Sequence, residues 1–465
     1  MSFANLSERV QNANAAIADC AASKRLEMLF DDGVYTELER YSVSRGECEV
    51  LTAYGYVSGS PVFAFSQNAC AASGAMGRAQ ADKIARLYKK AAEAGLPVFA
   101  IYDSKGAHLD EGVGALAAYG DLIAASNRLS GVVPQISMVL GSCIGSAAVL
   151  ASIADVVIMT EKAELYVTSG KILGDRAGKV GSAEAAAQNG VAQLVVSDEA
   201  AAFAKAKELI TLLPINNLSV APVADYVQAS VQATADMDAK SVAAAVADGD
   251  SLFELSADYG KSVYTALCRV GGNAAGVVAN TKENDGRMDA AGCAKAARFV
   301  RMCDAFSIPV ITFVDTCGFD VTVESELSGG VKSMAALTHA YAEATTPKIS
   351  VITGMAVGAA YTALAGRASG ADVTLGWTQA VIAPVEPLTA VSVLYADRIA
   401  KGEKREELAK EYAVNEGSVF EAAAGGYVDD VIEPADTFGK VVSALEMLSG
   451  KRVSTLDKKH SNMPF

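Results

Sequence analysis

The sequence is poor in the residues that build metal centres, disulfide scaffolds and membrane spans. It has three widely separated histidines and eight cysteines without CxxC spacing, which argues against a zinc site and a disulfide framework. No apolar run reaches the length of a membrane-spanning helix, and residues 1–24 lack the apolar core of a signal peptide. We therefore expect a cytoplasmic protein with reduced, mostly buried thiols and no metal ion.

Positive charge is also scarce. The 39 lysines and arginines are outnumbered by 54 aspartates and glutamates, and the formal net charge of −15 argues against nucleic acid as a partner. Hydrophobic residues make up 51% of the chain, and 40 residues are glycine. This composition is typical of α/β proteins, and 465 residues suffice for two domains with full cores.

One stretch, residues 134–147, has the pattern of a buried strand, a glycine turn and the start of a helix. Ile136–Leu140 is a short apolar run of the kind found in strands covered on both faces. Gly141 and Gly145 allow the backbone to turn sharply and to approach a ligand, and Ser146 begins a run of small residues. A helix that starts in this way directs free N–H groups at a bound ligand, and the most natural ligand is an oxyanion.

This plan occurs twice in the chain. Residues 134–147 recur 213 positions later as residues 347–360, and residues 97–103 match residues 309–315 at a spacing of 212. Further pairs in the same order are Lys83 and Lys295, Arg86 and Arg298, 57–68 and 270–280, and 32–38 and 248–255. Matches that keep their order and nearly one spacing predict a duplicated domain.

The boundary between the repeats is predicted in residues 214–225, where helical and strand periodicity is lost. We accordingly predict one domain over residues 1–220 and a second over residues 245–450. Strands that alternate with helices in both halves indicate parallel βαβ units. A helix predicted over residues 80–94 carries Lys83, Arg86, Lys89 and Lys90, which form either a solvated face or a phosphate-binding patch.

Several stretches together resemble one family. They are FSQNACAASGAMG (65–77), EGVGALAAYGDLI (111–123), VVPQISMVLGSCIG (132–145), AGVVAN (275–280), AAGCAKAARFVRMCDAFSIPVITFVDTCGF (290–319) and AYAEATTPKISVIT (340–353). They resemble the carboxyltransferase subunits of biotin-dependent acyl-CoA carboxylases, of the acetyl-CoA and propionyl-CoA carboxylase beta type, in the crotonase superfamily. The resemblance covers about residues 26–399 and implies an α/β fold of two tandem crotonase-like (ClpP/crotonase) domains.

The resemblance also implies the chemistry and its residues. An acyl-CoA thioester becomes an enolate, the biotin ureido oxygen gains negative charge, and backbone N–H groups stabilise both. The first turn, with Gly145 and Ser146 and with Gly106 and Ala107 near it, would face the thioester carbonyl on the acyl-CoA side.

The second turn would serve the biotin side. By the same resemblance, Ala359 and Ala360 would face the biotin carbonyl, with Gly318 and Phe319 near them and biotin itself as the base. The chain has no Met-Lys-Met-type attachment site and no glycine-rich ATP loop, so biotin would come on a separate biotin carboxyl carrier protein. The other expected partner is a biotin carboxylase subunit or a membrane decarboxylase subunit. We also expect the chain to form a homo-oligomer and favour a hexamer.

Some positions depart from the family pattern. Ser146 and Ala359 stand where second glycines are usual, Lys105 and His108 replace a Gly and an Arg, and Cys317 replaces a Pro. Two longer segments on the biotin side also differ, namely 332–336 and 385–389. These departures leave open a non-catalytic assembly subunit related to the family.

Three enzyme alternatives were weighed against the carboxylase interpretation. A sodium-pumping acyl-CoA decarboxylase runs the same half-reaction backwards, so the shared motifs do not distinguish it. A hydratase would need glutamates where the chain has Ala148 and Gly170, neither of which can transfer a proton. A serine protease would need Ser146 and His108 to converge with an aspartate. No side chain in the sequence indicates the length of the acyl group.

Overall fold

The computed structural model describes residues 8, 10–11, 20–42, 48–168, 170–174, 178–229, 231–249 and 251–464. The chain forms two compact units, Met1–Ala221 and Pro222–Phe465. None of the helices in the described ranges is both long and apolar enough to cross a membrane. The sequence also predicts a helix over residues 6–29, and the structure has a helix at Ala21–Leu29, while residues 6–7, 9 and 12–19 lie outside the described residues.

The first unit contains eight strands and seven helices in its described part. The strands are β1 (Tyr35–Leu38), β2 (Val50–Val57), β3 (Ser60–Gln67), β4 (Val98–Ser104), β5 (Gln135–Ile144), β6 (Val156–Thr160), β7 (Glu164–Tyr166) and β8 (Leu194–Val196). The helices are α1 (Ala21–Leu29), α2 (Arg78–Ala94), α3 (Val113–Leu129), α4 (Ser146–Ser152), α5 (Gly170–Leu173), α6 (Ala183–Gln188) and α7 (Glu199–Ile210).

The described part of the second unit contains eight strands and ten helices. The strands are β9 (Phe253–Glu254), β10 (Val263–Val270), β11 (Asn273–Asn280), β12 (Val310–Thr316), β13 (Lys348–Val357), β14 (Val373–Trp377), β15 (Val381–Ala383) and β16 (Asp430–Ile432). The helices are α8 (Ala239–Val246), α9 (Ala290–Ala305), α10 (Val323–Leu327), α11 (Gly330–Glu343), α12 (Gly358–Leu364), α13 (Pro387–Leu394), α14 (Ala396–Ala400), α15 (Arg405–Asn415), α16 (Val419–Ala424) and α17 (Thr437–Leu448). Short 3-10 turns lie at Asp31–Gly33, Ala72–Gly74, Leu109–Glu111, Glu283–Gly286, Arg367–Ser369 and Pro434–Asp436.

The two sheets have the same topology. The strand order is β1-β2-β3-β4-β5-β6-β8 in the first sheet, with β7 beside β5, and β9-β10-β11-β12-β13-β14-β16 in the second, with β15 beside β13. The first three strands of each order pair antiparallel, and the later ones pair parallel. The segments 96–103 and 308–315 form equivalent strands, so the predicted duplication is confirmed.

Apolar periodicity explains how each layer packs. Ile136, Met138 and Val139 of β5 are all fully buried, as the apolar run predicts for a strand covered on both faces. Helix α2 buries Ile84 and Leu87, which lie on one helical face, and ends at an αL glycine. Sheet and helices therefore form a continuous core that holds the strand ends in place.

The structure corrects the position of the turn after Ile136–Leu140. Strand β5 continues through Gly141 to Ile144 and pairs with β7 at Ser142, so the chain turns only at Gly145. Gly141 is needed for a different reason, because a Cβ there would lie 2.1 Å from Asp103 Oδ1. The first glycine thus admits a carboxylate from β4, and the second makes the turn.

The predicted solvated face of α2 is confirmed for Arg86, Lys89 and Lys90, which are exposed, but not for Lys83. Lys83 is buried and donates to the Val50 carbonyl oxygen at 2.9 Å, and burial lowers the pKa of its ammonium. Arg86 is paired with Glu39 at 2.5 Å. A sequence pattern cannot show these contacts, because Val50 lies 33 residues before Lys83 and Glu39 lies 47 residues before Arg86.

Six of the eight cysteines are buried, and all eight are free. Burial raises the pKa of Cys268 and of Cys293 to about 12, and it raises those of Cys143 and Cys303 well above the usual range. A folded-state pKa above the unfolded value of about 8.5 contributes stability that is lost as pH rises past that value.

We expect Cys268→Ala to reduce the pH dependence of unfolding. Between pH 7.5 and 9.5 one buried thiol should cost the wild type about 1.4 kcal/mol that the variant does not lose. Denaturant midpoints under reducing conditions at both pH values measure this difference. Cys70→Ala, which removes an exposed thiol, is the control and should shift the midpoint equally at both pH values. A midpoint shift in Cys268→Ala that is the same at both pH values, as expected for Cys70→Ala, would contradict the expectation.

Candidate active site

The first turn leaves one backbone N–H group unpaired. Gly145 has φ +67° and ψ −129°, and its N–H donates to the Tyr166 carbonyl oxygen at 2.9 Å. Helix α4 then begins at Ser146, and across the fully described residues 48–168 no acceptor is bonded to the Ser146 N–H. Of the predicted pair, Gly145 therefore makes the turn, and Ser146 presents the free N–H.

Glycine is required at the first turn by backbone conformation. A Cβ at Gly145 would meet no atom within 4 Å, so space does not restrict the position. The positive φ does, because L side chains rarely adopt it. The sharp backbone turn predicted at Gly145 is therefore present.

The loop after β4 contributes a second unpaired N–H beside the first turn. The Gly106 N–H donates to Ser104 Oγ at 3.1 Å, and Met76 N–H donates to the Gly106 carbonyl at 2.8 Å. No acceptor is bonded to the Ala107 N–H within residues 48–168. A Cβ at Gly106, whose φ is +105°, would lie 3.5 Å from the Ile144 carbonyl oxygen, so the loop runs against the end of β5.

The second unit repeats the helix start. Strand β13 ends at Val357, Gly358 has φ +61°, and the first turn of α12 contains Ala359 and Ala360. Within residues 251–464 no acceptor is bonded to the N–H groups of Ala359 and Ala360. Gly358 corresponds to Gly145, so Ala359 is the counterpart of Ser146.

The loop after β12 repeats the second donor. The Gly318 N–H donates to Thr316 Oγ1 at 3.1 Å, and the Met288 N–H donates to the Gly318 carbonyl at 3.0 Å. In the described range 251–464 no acceptor is bonded to the Phe319 N–H. A Cβ at Gly318, with φ +115°, would lie 3.5 Å from the Val357 carbonyl oxygen. Each unit thus brings a loop and a helix start together, and each of these presents an unpaired N–H group within the described residues.

A carboxylate supports each turn from the preceding strand. Asp103 Oδ1 accepts the Ser142 N–H at 3.3 Å, and its Oδ2 accepts from buried Arg25 at 2.9 Å. In the second unit Asp315 Oδ1 accepts the Met355 N–H at 3.0 Å, and Lys282 pairs with the other oxygen. The sequence repeat includes both aspartates, but nothing in the sequence indicated that Arg25 and Lys282 pair with them.

The residues of the alternative reactions do not assemble. His108 is buried, and its Nε2 lies 3.2 Å from Glu49 Oε1. Its imidazole is therefore engaged with Glu49, whereas a protease would need it bonded to Ser146. Ala148 is buried in α4, and Gly170 begins α5, so neither position supplies a carboxyl group.

A cavity of about 500 Å³ adjoins the first turn. It is lined by residues 165–168 and by parts of α5, α6 and the segment 179–181. Tyr166 links it to the turn, since the Tyr166 carbonyl oxygen accepts the Gly145 N–H.

The comparison with protein families decides the class. A family described as the carboxyl transferase domain matches residues 19–463, almost the whole chain. The chain belongs to the carboxyl transferase family. It is 34% identical to the carboxyltransferase subunit of propionyl-CoA carboxylase from Haloferax mediterranei, over 96% of this chain and 93% of the relative. The chain is thus an enzyme of the acyl-CoA carboxyltransferase type.

Other carboxyl transferases are equally similar. The chain is 33% identical to the alpha subunit of methylmalonyl-CoA decarboxylase from Propionigenium modestum, over 98% of this chain and 95% of the relative. The crystal structure of transcarboxylase 12S superposes with a TM-score of 0.94 at 32% identity, covering all of both chains. The structural comparison confirms the predicted two-domain crotonase-like fold.

Proposed function

We propose that this carboxyltransferase moves a carboxyl group between biotin and the α-carbon of a short acyl-CoA, through an enolate. The observation that carries the proposal is the duplicated arrangement of an unpaired N–H on a loop beside unpaired N–H groups at a helix start. Each arrangement can stabilise one oxyanion, and one such donor is typically worth about 3–4 kcal/mol of barrier. A transfer between a thioester enolate and a ureido group develops two oxyanions.

The first unit is proposed as the acyl-CoA side, in a domain of residues 1–220. The N–H groups of Ser146 and Ala107 would hold the thioester oxygen as it becomes an enolate. The cavity at Tyr166 supports this side, and the transcarboxylase 12S structure, which was solved with methylmalonyl-CoA bound, supports an acyl-CoA as the substrate. No side-chain nucleophile takes part in this mechanism.

The second unit is proposed as the biotin side, in a domain of residues 245–450. The N–H groups of Ala359 and Phe319 would face the ureido oxygen, while the side chain of Ala360 is buried and serves packing. Biotin, when bound on its separate carrier protein, supplies the carboxyl group and accepts the α-proton. The chain's own contribution is to orient the two reactants and to stabilise the negative charge on each oxygen.

The direction of the reaction has two candidates. Relatives at similar identity are named propionyl-CoA carboxylase and methylmalonyl-CoA decarboxylase. We favour carboxylation, with a biotin carboxylase subunit as partner, and retain decarboxylation, with a membrane decarboxylase subunit, as the second candidate. A biotin carboxylase gene beside this one would support the first, and a membrane decarboxylase gene would support the second.

One assay tests the proposed function. Purified protein with free biotin and either malonyl-CoA or methylmalonyl-CoA should release CO₂ and the decarboxylated acyl-CoA. The rate should depend on both biotin and acyl-CoA, because each occupies its own turn. No biotin-dependent release across a series of acyl-CoA lengths would favour the non-catalytic assembly subunit.

We expect the protein to be at least a dimer and favour a hexamer, the assembly named for transcarboxylase 12S. Exposed apolar side chains follow each loop at helical spacing, with Leu109, Val113 and Leu116 in the first unit and Val323 and Leu327 in the second. Burial of such patches usually requires a partner surface. A monomer at micromolar concentration in sedimentation velocity would contradict this expectation.

A variant makes the assembly test specific. Leu116→Asp should weaken the assembly, because burying an unpaired carboxylate costs several kcal/mol. Leu116→Met preserves apolar area and should sediment like the wild type. If both variants sediment like the wild type, this patch is not the interface.

A further inference from the structure

The second turn has an ion pair that the repeat does not account for. Arg287 directly precedes Met288, whose N–H donates to the Gly318 carbonyl oxygen at 3.0 Å. The equivalent position in the first unit, 212 residues earlier, is Ala75, which has no charge. The arginine is therefore a difference between the two halves, at the place where the second loop is held.

The Arg287 guanidinium connects two segments. Its Nη1 donates to the Cys317 carbonyl oxygen at 3.2 Å, and its Nη2 pairs with the Glu386 carboxylate. Cys317 immediately precedes Gly318 in the loop, and Glu386 immediately precedes Pro387, the first residue of α13. One side chain thus joins Cys317 to the 385–389 segment, the positions at which this chain departs from its family pattern.

Burial makes the connection rigid. The side chains of Arg287 and Glu386 are only 22% and 30% exposed, so solvent screens the pair less than an ordinary surface pair. A guanidinium that donates to two acceptors in fixed directions holds both in one geometry. The loop needs this restraint, because Gly318 tolerates many backbone conformations and directly precedes Phe319.

We propose that Arg287 and Glu386 are positioning residues of the second turn. Arg287 holds the Cys317 carbonyl so that the Phe319 N–H stays directed at the biotin-side oxyanion, and Glu386 holds the guanidinium in place. This inference rests on the proposed function, since it assigns a role within the biotin side. Neither side chain touches the reacting atoms, so its removal should cost less than deletion of an N–H donor.

The kinetic test uses the full-length oligomer with free biotin and malonyl-CoA or methylmalonyl-CoA, whichever the wild type decarboxylates faster. Arg287→Met should lower kcat/KM for biotin about tenfold, while KM for the acyl-CoA changes less than about twofold. Arg287→Lys, which can still donate to the Cys317 carbonyl, should recover part of the loss. An unchanged biotin kcat/KM in Arg287→Met would overturn the proposal.

Two further variants separate positioning from general stability. The exchange Arg287→Glu with Glu386→Arg restores opposite charges but removes the donor to Cys317, so it should not recover activity, and full recovery would contradict the carbonyl contact. Arg367→Met is the matched control. Arg367 has the same fork, donating to the Gly426 carbonyl at 3.1 Å and pairing with Asp429, and its loss should leave biotin kinetics unchanged. An equal loss in Arg367→Met would show a merely structural effect.

The Cys317 thiol gives a readout that does not depend on activity. Burial raises the pKa of Cys317, the Glu386 charge raises it further, and the Arg287 charge lowers it. Alkylation of Cys317 by iodoacetamide at pH 8, followed by mass spectrometry, should therefore be slower in Arg287→Met and faster in Glu386→Gln. Unchanged alkylation rates in both variants would show that the pair of Arg287 and Glu386 does not act on the loop at Cys317. If the wild type shows no decarboxylation, the proposed function fails while this measurement still tests the pair.

Discussion

Ser146→Pro should lower kcat/KM for the acyl-CoA substrate about 10²–10³-fold, whereas Ser146→Ala should retain activity within about threefold. Proline removes only the N–H that the first turn presents, and the loss of one oxyanion donor has this magnitude. Ser146 is the first residue of α4, where proline is favoured because its N–H would have no intrahelical partner.

The preceding residue also accepts this proline. Gly145 has φ +67° and ψ −129°, the mirror image of the extended conformation that residues before proline prefer, and glycine adopts both. Circular dichroism and sedimentation should therefore match the wild type. Full activity in Ser146→Pro would refute the donor assignment. Activity lost by orders of magnitude in Ser146→Ala, with the fold intact, would instead indicate a serine nucleophile.

The second large effect is expected on the other side of the reaction. Ala359→Pro should lower kcat/KM for free biotin about 10²–10³-fold and leave acyl-CoA affinity within about twofold. The reason is positional, because Ala359 is the counterpart of Ser146 in the unit proposed to face biotin. Isothermal titration gives the acyl-CoA affinity, and steady-state decarboxylation gives the biotin dependence.

The chain provides the control for this variant. Ala359→Ser introduces the residue that the first unit has at the same position, keeps the N–H and should behave like the wild type. A loss of acyl-CoA affinity in Ala359→Pro equal to its loss in biotin kcat/KM would show that the two sides are assigned wrongly. The same pair of measurements on Ser146→Pro should give the opposite order of effects.

The sequence predicted two copies of one architecture, because in a duplicated chain the strands that pair in one half recur in the other half at nearly the same spacing. Once residues 97–103 and 309–315 were recognised as one strand repeated, the order of both sheets followed the same plan. The repeated stretches also predicted the small residues at the helix starts. The roles of Gly106 and Gly318 were predicted by the family resemblance instead.

Contacts between distant segments could not be predicted. The sequence did not indicate that the Gly145 N–H is already bonded to Tyr166, or that Asp103 packs on Gly141, because both depend on strand pairing. Arg287 and Glu386 are 99 residues apart and have no counterpart in the first unit. An interaction that is present in only one unit is not part of the sequence repeat, so the repeat could not predict it.

The two sheets share no strand, so this enzyme could be encoded as two separate polypeptides. The first sheet is complete between Tyr35 and Val196, and the second between Phe253 and Ile432. Close to the boundary of the two units the chain is exposed, with Leu218 at 93% and Val220 at 85%. A gene divided there would yield two polypeptides, each with a whole sheet and its own turn. Their co-expression would let either side of the reaction be exchanged separately.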